Sequence, residues 1–157
     1  MRSKSPLALM EQLVMVLVFA LAAALCLRVF VFSDQMSERS ETVDWAVMEC
    51  QNAAETLKSV GSEGGDMALC LQKAADALGG TMSQGLVQVC YDRERSVLSG
   101  NGGDCVYVLE LQGLPVQAEG LMKANVRVAA VKDISVGGSG EPLFSIDVAW
   151  QEVSGNG

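Results

Sequence analysis

The chain has 157 residues, half of them hydrophobic, with 19 acidic against 11 basic side chains, a net charge of -8 and no histidine. An acidic surface of this size repels nucleic acid and anionic lipid headgroups, which excludes a nucleic-acid partner. The missing histidine removes histidine-activated serine or cysteine nucleophiles, histidine general bases and the usual catalytic zinc sets, and no carboxylate pair stands out among the scattered acids, so neither an enzyme nor a bound cofactor is expected.

The first element is apolar. Leu13 to Leu27 carries no charge, and Leu13–Phe32 holds one, Arg28. A helix rises about 1.5 Å per residue, so roughly 20 such residues cross the ~30 Å hydrocarbon layer. Arg28 lies one turn from the far end, where its stem can snorkel to the headgroups. Arg2 and Lys4 precede the run, whereas Asp34, Glu38 and Glu41 follow it with Arg39 alone to offset them. The positive-inside rule therefore places residues 1–6 in the cytoplasm, a transmembrane helix over 7–32 and an extracytoplasmic domain over 33–153. A cleaved secretory signal at Ala20-Leu21-Ala22 is disfavoured, because apolar residues run on to Phe32, past the usual core of about 7–15 residues. A lipoprotein signal ending at Cys26 is disfavoured by the bulky Leu25 and by Leu27-Arg28-Val29-Phe30 in place of a polar tether. A retained signal anchor, single-pass in the cell membrane, fits best.

Beyond the membrane, Ser33 to about Ser59 continues the helix. Met36, Val43, Val47, Cys50, Ala54 and Leu57 recur at helical spacings and form the predicted core stripe, with Trp45 beside it. Glu38, Glu41, Glu49, Glu55 and Lys58 take the opposite face. Gly61-Ser62-Glu63-Gly64-Gly65 ends the helix. Asp66 caps a second helix with Met67, Cys70, Leu71, Ala74 and Leu78 as its apolar face, and Gly79-Gly80 stops it. After Gly85 the period becomes alternating. Leu86–Tyr91, Cys105–Leu111, Leu121–Val131 and Leu143–Glu152 are the predicted strands, with Ser96-Val97-Leu98 as a possible hairpin extension. Val126, Val128 and Ala130 alternate with Asn125, Arg127 and Ala129. The fold class is thus α+β: a long N-terminal helix, transmembrane and continuing outside, and a short helix, packed on an antiparallel sheet of about four strands. Residues 154–157 are expected to form a disordered tail.

Cys26 lies in the membrane helix and packs there as a small apolar residue. Cys50, Cys70, Cys90 and Cys105 lie outside. An even count in an oxidising compartment suggests two disulfides among three possible connectivities. Local geometry favours Cys50–Cys70, tying two helices, and Cys90–Cys105, tying two strands around a glycine-rich turn. Buried reduced thiols are the alternative. The spacings form no C-x-x-C, against a redox or zinc-ribbon site. Gly100-Asn101-Gly102-Gly103 and Gly137-Gly138-Ser139-Gly140 open no helix after a strand, so they are turns and not phosphate cradles. Asp92, Glu94 and Asp104 either hold a calcium ion around one turn or are solvated turn acids.

Residues 6–32, with Leu9 and Glu11 and the apolar tail behind them, resemble the N-terminus of type IV pilins and pseudopilins. The long helix that continues beyond the membrane and the strand-rich C-terminal half resemble that family's layout over the whole chain. Pro6 stands where the family has glycine before the cleavage point, and Leu7 where it has phenylalanine. The resemblance implies processing between Pro6 and Leu7 and an assembly role for Glu11, whose carboxylate would engage the new N-terminal amine of a neighbouring subunit. It also implies a prepilin peptidase, an assembly platform with its ATPase, and other pilin-like subunits as partners, besides membrane lipid. A carboxylate in hydrocarbon costs at least ~2.5 kcal/mol unless paired, so a positive partner at matching depth gives directional assembly. Read without the family, Glu11 marks the cytoplasmic boundary, solvated and mildly favourable near a helix N-terminus. Two functions follow: a minor pilin or pseudopilin of a type IV pilus or type II secretion-like filament, or a permanently anchored bitopic protein with an extracytoplasmic binding domain.

Overall fold

Between Pro6 and Gly61 the chain contains neither glycine nor proline, and it forms one helix, α1, over Ser5–Ser62. The proline falls in the first turn, where its missing N–H has no helical acceptor to lose. The structure is a computed structural model that describes residues 5–98, 104–116, 120–131, 140 and 142–151, and side chains from residue 8 onward. Two compact units divide it, Met1–Glu41 and Thr42–Gly157. The first consists, among its described residues, of the N-terminal part of α1. The second is an α+β unit.

In the α+β unit, α1 buries Ala46, Cys50, Ala53, Ala54 and Leu57, spaced three or four apart on one face. The predicted stripe is therefore right from Cys50 onward and wrong before it. Met36 is 64% exposed, Val43 and Val47 are half-buried, and Ala46 and Ala53 take up the core positions that larger side chains were expected to fill. Small residues let the helix backbone close onto the sheet, and the Cys50 Sγ comes within 3.9 Å of the Val126 carbonyl oxygen.

The second helix, α2 (Met67–Leu78), follows its local signals closely. The Asp66 side chain accepts the Leu69 amide at 2.8 Å as an N-cap, and Gly79 ends the helix at φ 72°. Cys70, Leu71, Ala74 and Ala75 face the core.

Five strands follow: β1 (Thr81–Ser83), β2 (Leu86–Tyr91), β3 (Tyr107–Leu114), β4 (Leu121–Ala130) and β5 (Pro142–Gln151). They form an antiparallel meander in chain order. The sheet thus has one strand more than expected. β1 is only three residues long and joins β2 through a tight turn at Gln84 (φ 51°) and Gly85 (φ 79°). Positive φ at both central residues matches the right-handed twist of a two-residue hairpin. Three residues are too few for an alternating pattern to register. β3 begins at Tyr107 and extends to Leu114, shifted from the expected Cys105–Leu111. In β4 the inward set is Met122, Ala124, Val126 and Val128, and the β3–β4 ladder keeps step to its end, with Ala130 opposite Tyr107 as the alternation predicts; Ala129, opposite Val108, is buried on the other face, outside the main core. A register irregularity between Val128 and Ala129 lies in the pairing with β5, where Val128 faces Phe144, Ala129 faces Pro142 and Leu143 is skipped. The inner sheet face (Val87, Val89, Leu109, Leu111, Val126, Val128, Val148, Trp150) and the buried faces of α1 and α2 form one core. The expected tail at 154–157 and the turn glycines at 100, 102, 103, 137 and 138 lie outside the described residues.

Candidate functional site

Three features could carry function: the bare stretch of α1, the cysteines, and the polar and aromatic clusters of the α+β unit. The large apolar side chains from Leu9 to Phe32 are each 54–78% exposed. Among the described residues α1 is the one helix long and apolar enough to cross a membrane. The shallow grooves along it, lined by Leu9, Leu13, Val16 and Leu17 and their neighbours, are spaces between ridges of one unpartnered helix rather than ligand cavities. Glu11 lies in the second turn of this stretch and is exposed. Arg28 is 17 residues further on, about 25 Å along a helix, so it cannot neutralise Glu11 within one chain. Pro6 and Leu7 belong to the first turn of α1, and their side chains lie outside the description.

All five cysteines are thiols, so neither expected disulfide is present in the structure. The two expected pairs are placed differently. Cys50 and Cys70 are both fully buried. The Cys50 thiol reaches β4, at the Val126 carbonyl. Burial, partly opposed by a backbone hydrogen bond from Val128, pushes it up to about 11. Cys90 and Cys105 are half-buried and in contact. Cys105 Sγ donates to the Tyr107 carbonyl at 3.3 Å. Burial first, then the Cys90 thiol, pushes Cys105 up to about 12.

The connection after β2 folds back at once. The Asp92 amide donates to the Ser96 carbonyl, and the Ser96 amide donates to Asp92 Oδ1 at 2.8 Å. Arg95 turns the chain at φ 65°, and Val97 pairs with Tyr91. Asp92 is therefore a turn-capping residue. Among the described residues no group of three acids is placed to hold a metal, so the calcium alternative for Asp92, Glu94 and Asp104 fails. The turn carries Arg95 over the Trp45 ring, 5.8 Å from its centroid, with a hydrogen bond to Thr42 Oγ1 at 3.3 Å. Trp45 packs edge-on against Tyr91 (5.1 Å) and at a tilt against Tyr107 (5.2 Å). The Tyr91 hydroxyl donates to Glu49 Oε2 at 3.0 Å, and burial followed by the Glu49 charge raises its ionisation well above the ordinary phenol range.

The outer sheet face is polar and cross-linked. Gln88, Glu110, Arg127 and Ser145 stand in one row across β2 to β5. Glu110 Oε1 accepts from Gln88 Nε2 at 2.9 Å, and Oε2 accepts from Arg127 Nε at 2.6 Å. Among the described residues Glu110 is the one charged side chain that is buried, at 3% residual exposure. In the next row Asn125 donates to Asp147 at 2.7 Å, while Lys123 pairs with the same carboxylate at 2.8 Å; these contacts hold Asp147 below the usual carboxylate range. The Glu110 row escaped the sequence reading because its signal is cross-strand, visible only once the register is known. With acids and bases matched across the face, it offers no net charge to a ligand.

The chain matches no protein-family model, no curated protein and no solved structure.

Proposed function

We propose that this protein is a membrane-anchored, pilin-like structural subunit, a minor pilin or pseudopilin, with no catalytic role of its own. The observation that carries the reading is the fate of α1. From Leu9 to Phe32 its large apolar side chains lie more than half exposed, and from Ala46 to Leu57 the same helix supplies one wall of an α+β core. Water cannot accept the first stretch, since each buried CH₂ is worth about 0.8 kcal/mol. Lipid and the equivalent helices of other copies can. The flanking charges orient the anchor with residues 1–6 in the cytoplasm and the acidic α+β unit outside. Glu11, too far from Arg28 to pair within its own chain, takes a positive partner from a neighbouring copy, and the amine released by cleavage before Leu7 is the group of matching depth. A peptidase and an assembly platform with its ATPase complete the set of partners.

Pro6 at the cleavage point favours a second reading, a permanently anchored bitopic protein whose outer unit binds another envelope protein or a ligand. N-terminal sequencing of the membrane-extracted protein separates the two. A chain starting at Leu7 with an N-terminal amine supports the filament subunit, whereas an intact N-terminal leader supports the bitopic anchor. Recovery of the full-length chain as a soluble species after carbonate extraction would end both.

A further inference from the structure

We infer that Cys90 and Cys105 are the site of one intramolecular disulfide, which closes the β2–β3 connection that carries Arg95, while Cys50 and Cys70 remain thiols. Cys90 is the penultimate residue of β2, and Cys105 stands two residues before β3. The pairing of Tyr91 with Tyr107, together with a 2.8 Å hydrogen bond from the Val106 amide to the Tyr91 carbonyl, brings residue 105 alongside the end of β2. The Leu98 amide donates to the Cys90 carbonyl at 2.8 Å, so the returning chain is also fixed at this point. The two side chains interact directly, and both are half-buried, within reach of a small oxidant. The exposure of the other pair differs. Cys50 and Cys70 have no residual exposure, and the Cys50 thiol is directed at β4.

The chemistry is thiol–disulfide exchange with a glutathione-type disulfide. One cysteine thiolate attacks the oxidant, forming a mixed disulfide and releasing one glutathione thiol. The second cysteine thiolate then displaces the second glutathione. The two cysteines lose two electrons and two protons, and the oxidant gains both as two thiols. The raised ionisation of Cys105 makes the exchange slow near neutrality and faster as the pH rises toward 9. The staple closes the segment that holds Arg95 against Trp45 and Thr42. Those contacts lie at the first residues of the compact unit, where α1 enters it.

Tryptic cleavage separates all four cysteines of this unit, because Arg39, Lys58, Lys73, Arg93, Arg95 and Lys123 lie between them. The test uses the full chain in detergent with Cys26→Ser, which removes the exposed helix thiol. It is equilibrated with glutathione disulfide under native conditions, alkylated after denaturation and digested without reductant. The expected result is loss of two of the four thiols, with peptides 74–93 and 96–123 recovered as a linked pair two hydrogens lighter than their sum. Cys50 and Cys70 are then alkylated. Recovery of Cys90 and Cys105 both alkylated, or linked to Cys50 or Cys70, overturns the proposal. A Cys90→Ser chain should keep its circular dichroism and yield no linked pair. Should that variant fail to fold, the native chain's peptide map still decides. None of these outcomes depends on membrane topology or on Glu11, so the staple and the filament reading stand or fall separately.

Discussion

Gly61 sits in the last turn of α1, directly against the edge strand. A Cβ added there would lie 2.2 Å from Trp150 Nε1 and 2.4 Å from its Cδ1, well inside van der Waals contact. The backbone of Gly61 is not in the left-handed region, so Gly61→Ala is conformationally acceptable and gains about 1 kcal/mol of helix propensity. Against this, the indole must leave its site. Trp150 is 8% exposed, and its Nε1 has no hydrogen-bond partner among the described residues, so no polar contact holds the ring in place. Swinging it outward to about half exposure uncovers roughly 100 Å² of a side chain that buries 150–250 Å², at about 25 cal/mol per Å². The cost is about 2.5 kcal/mol, and the net effect about 1.5 kcal/mol of destabilisation. Denaturant unfolding of the full chain in detergent measures it. In a Trp45→Phe background, where Trp150 is the remaining indole, its emission should shift to the red as the ring becomes solvated. In a Trp150→Leu background the same Gly61→Ala change should be neutral or stabilising by up to about 1 kcal/mol, a coupling of about 2 kcal/mol between the two sites. A stabilising Gly61→Ala in the native sequence would show that the ring does not rest on Gly61 and would refute the packing argument.

Three further outcomes follow from the same reasoning. Arg127→Leu leaves the buried Glu110 carboxylate with Gln88 as its remaining donor. Breaking a fully buried pair costs ~3–5 kcal/mol, but the Arg127 side chain is 40% exposed and admits water, so about 2 kcal/mol is expected in urea unfolding, largely recovered in the Glu110→Leu/Arg127→Leu double variant. Alkali should weaken the fold through Cys50, whose thiol ionises at 9.0 when unfolded and about 11 when folded. That stability is fully present below pH 9 and is lost as the pH rises through 11, roughly 2–3 kcal/mol in all, so the urea midpoint should fall between pH 8 and 11, and Cys50→Ala should flatten that slope. Tyr91 shifts in the same direction, so the variant's slope should be reduced but not zero. Finally, Glu11→Val should leave membrane retention unchanged or stronger and abolish cross-linking between copies; persistence of the cross-links would remove Glu11 from assembly.

Much of this architecture is legible before any coordinates. α2 announces itself through Asp66 and Gly79 because capping is local chemistry, confined to one turn. The apolar run is legible because twenty residues of one character leave no competing reading. The failures share a different cause. Ala46 and Ala53 were passed over because hydrophobic patterning weighs size, whereas a helix lying close on a sheet selects the small side chain. Ala129 is buried on the other sheet face, opposite Val108, because cross-strand neighbours as well as alternation decide exposure. Cys50 and Cys70 both lie on core-facing stripes, as the spacing predicts, and both are buried thiols in the structure, a state that spacing does not decide. The Glu110 row depends on three strands from distant parts of the sequence, so no window of the chain contains it.

In the proposed filament the attraction between copies has to come from the membrane end. From Ser33 onward the chain carries 18 acids against 8 bases, so neighbouring outer units repel one another. At physiological salt that repulsion decays over about 8 Å, enough to keep undocked subunits apart without opposing contact at the helices. The outer sheet face reinforces the point, since its charges are already matched within the chain at Glu110–Arg127 and Asp147–Lys123 and have little to offer a neighbour. A filament built this way would loosen as salt is lowered, the reverse of an assembly held by ion pairs between outer units. Association of the detergent-extracted chain that weakened with rising salt would therefore place the contacts on the α+β unit and remove the apolar helix as their source.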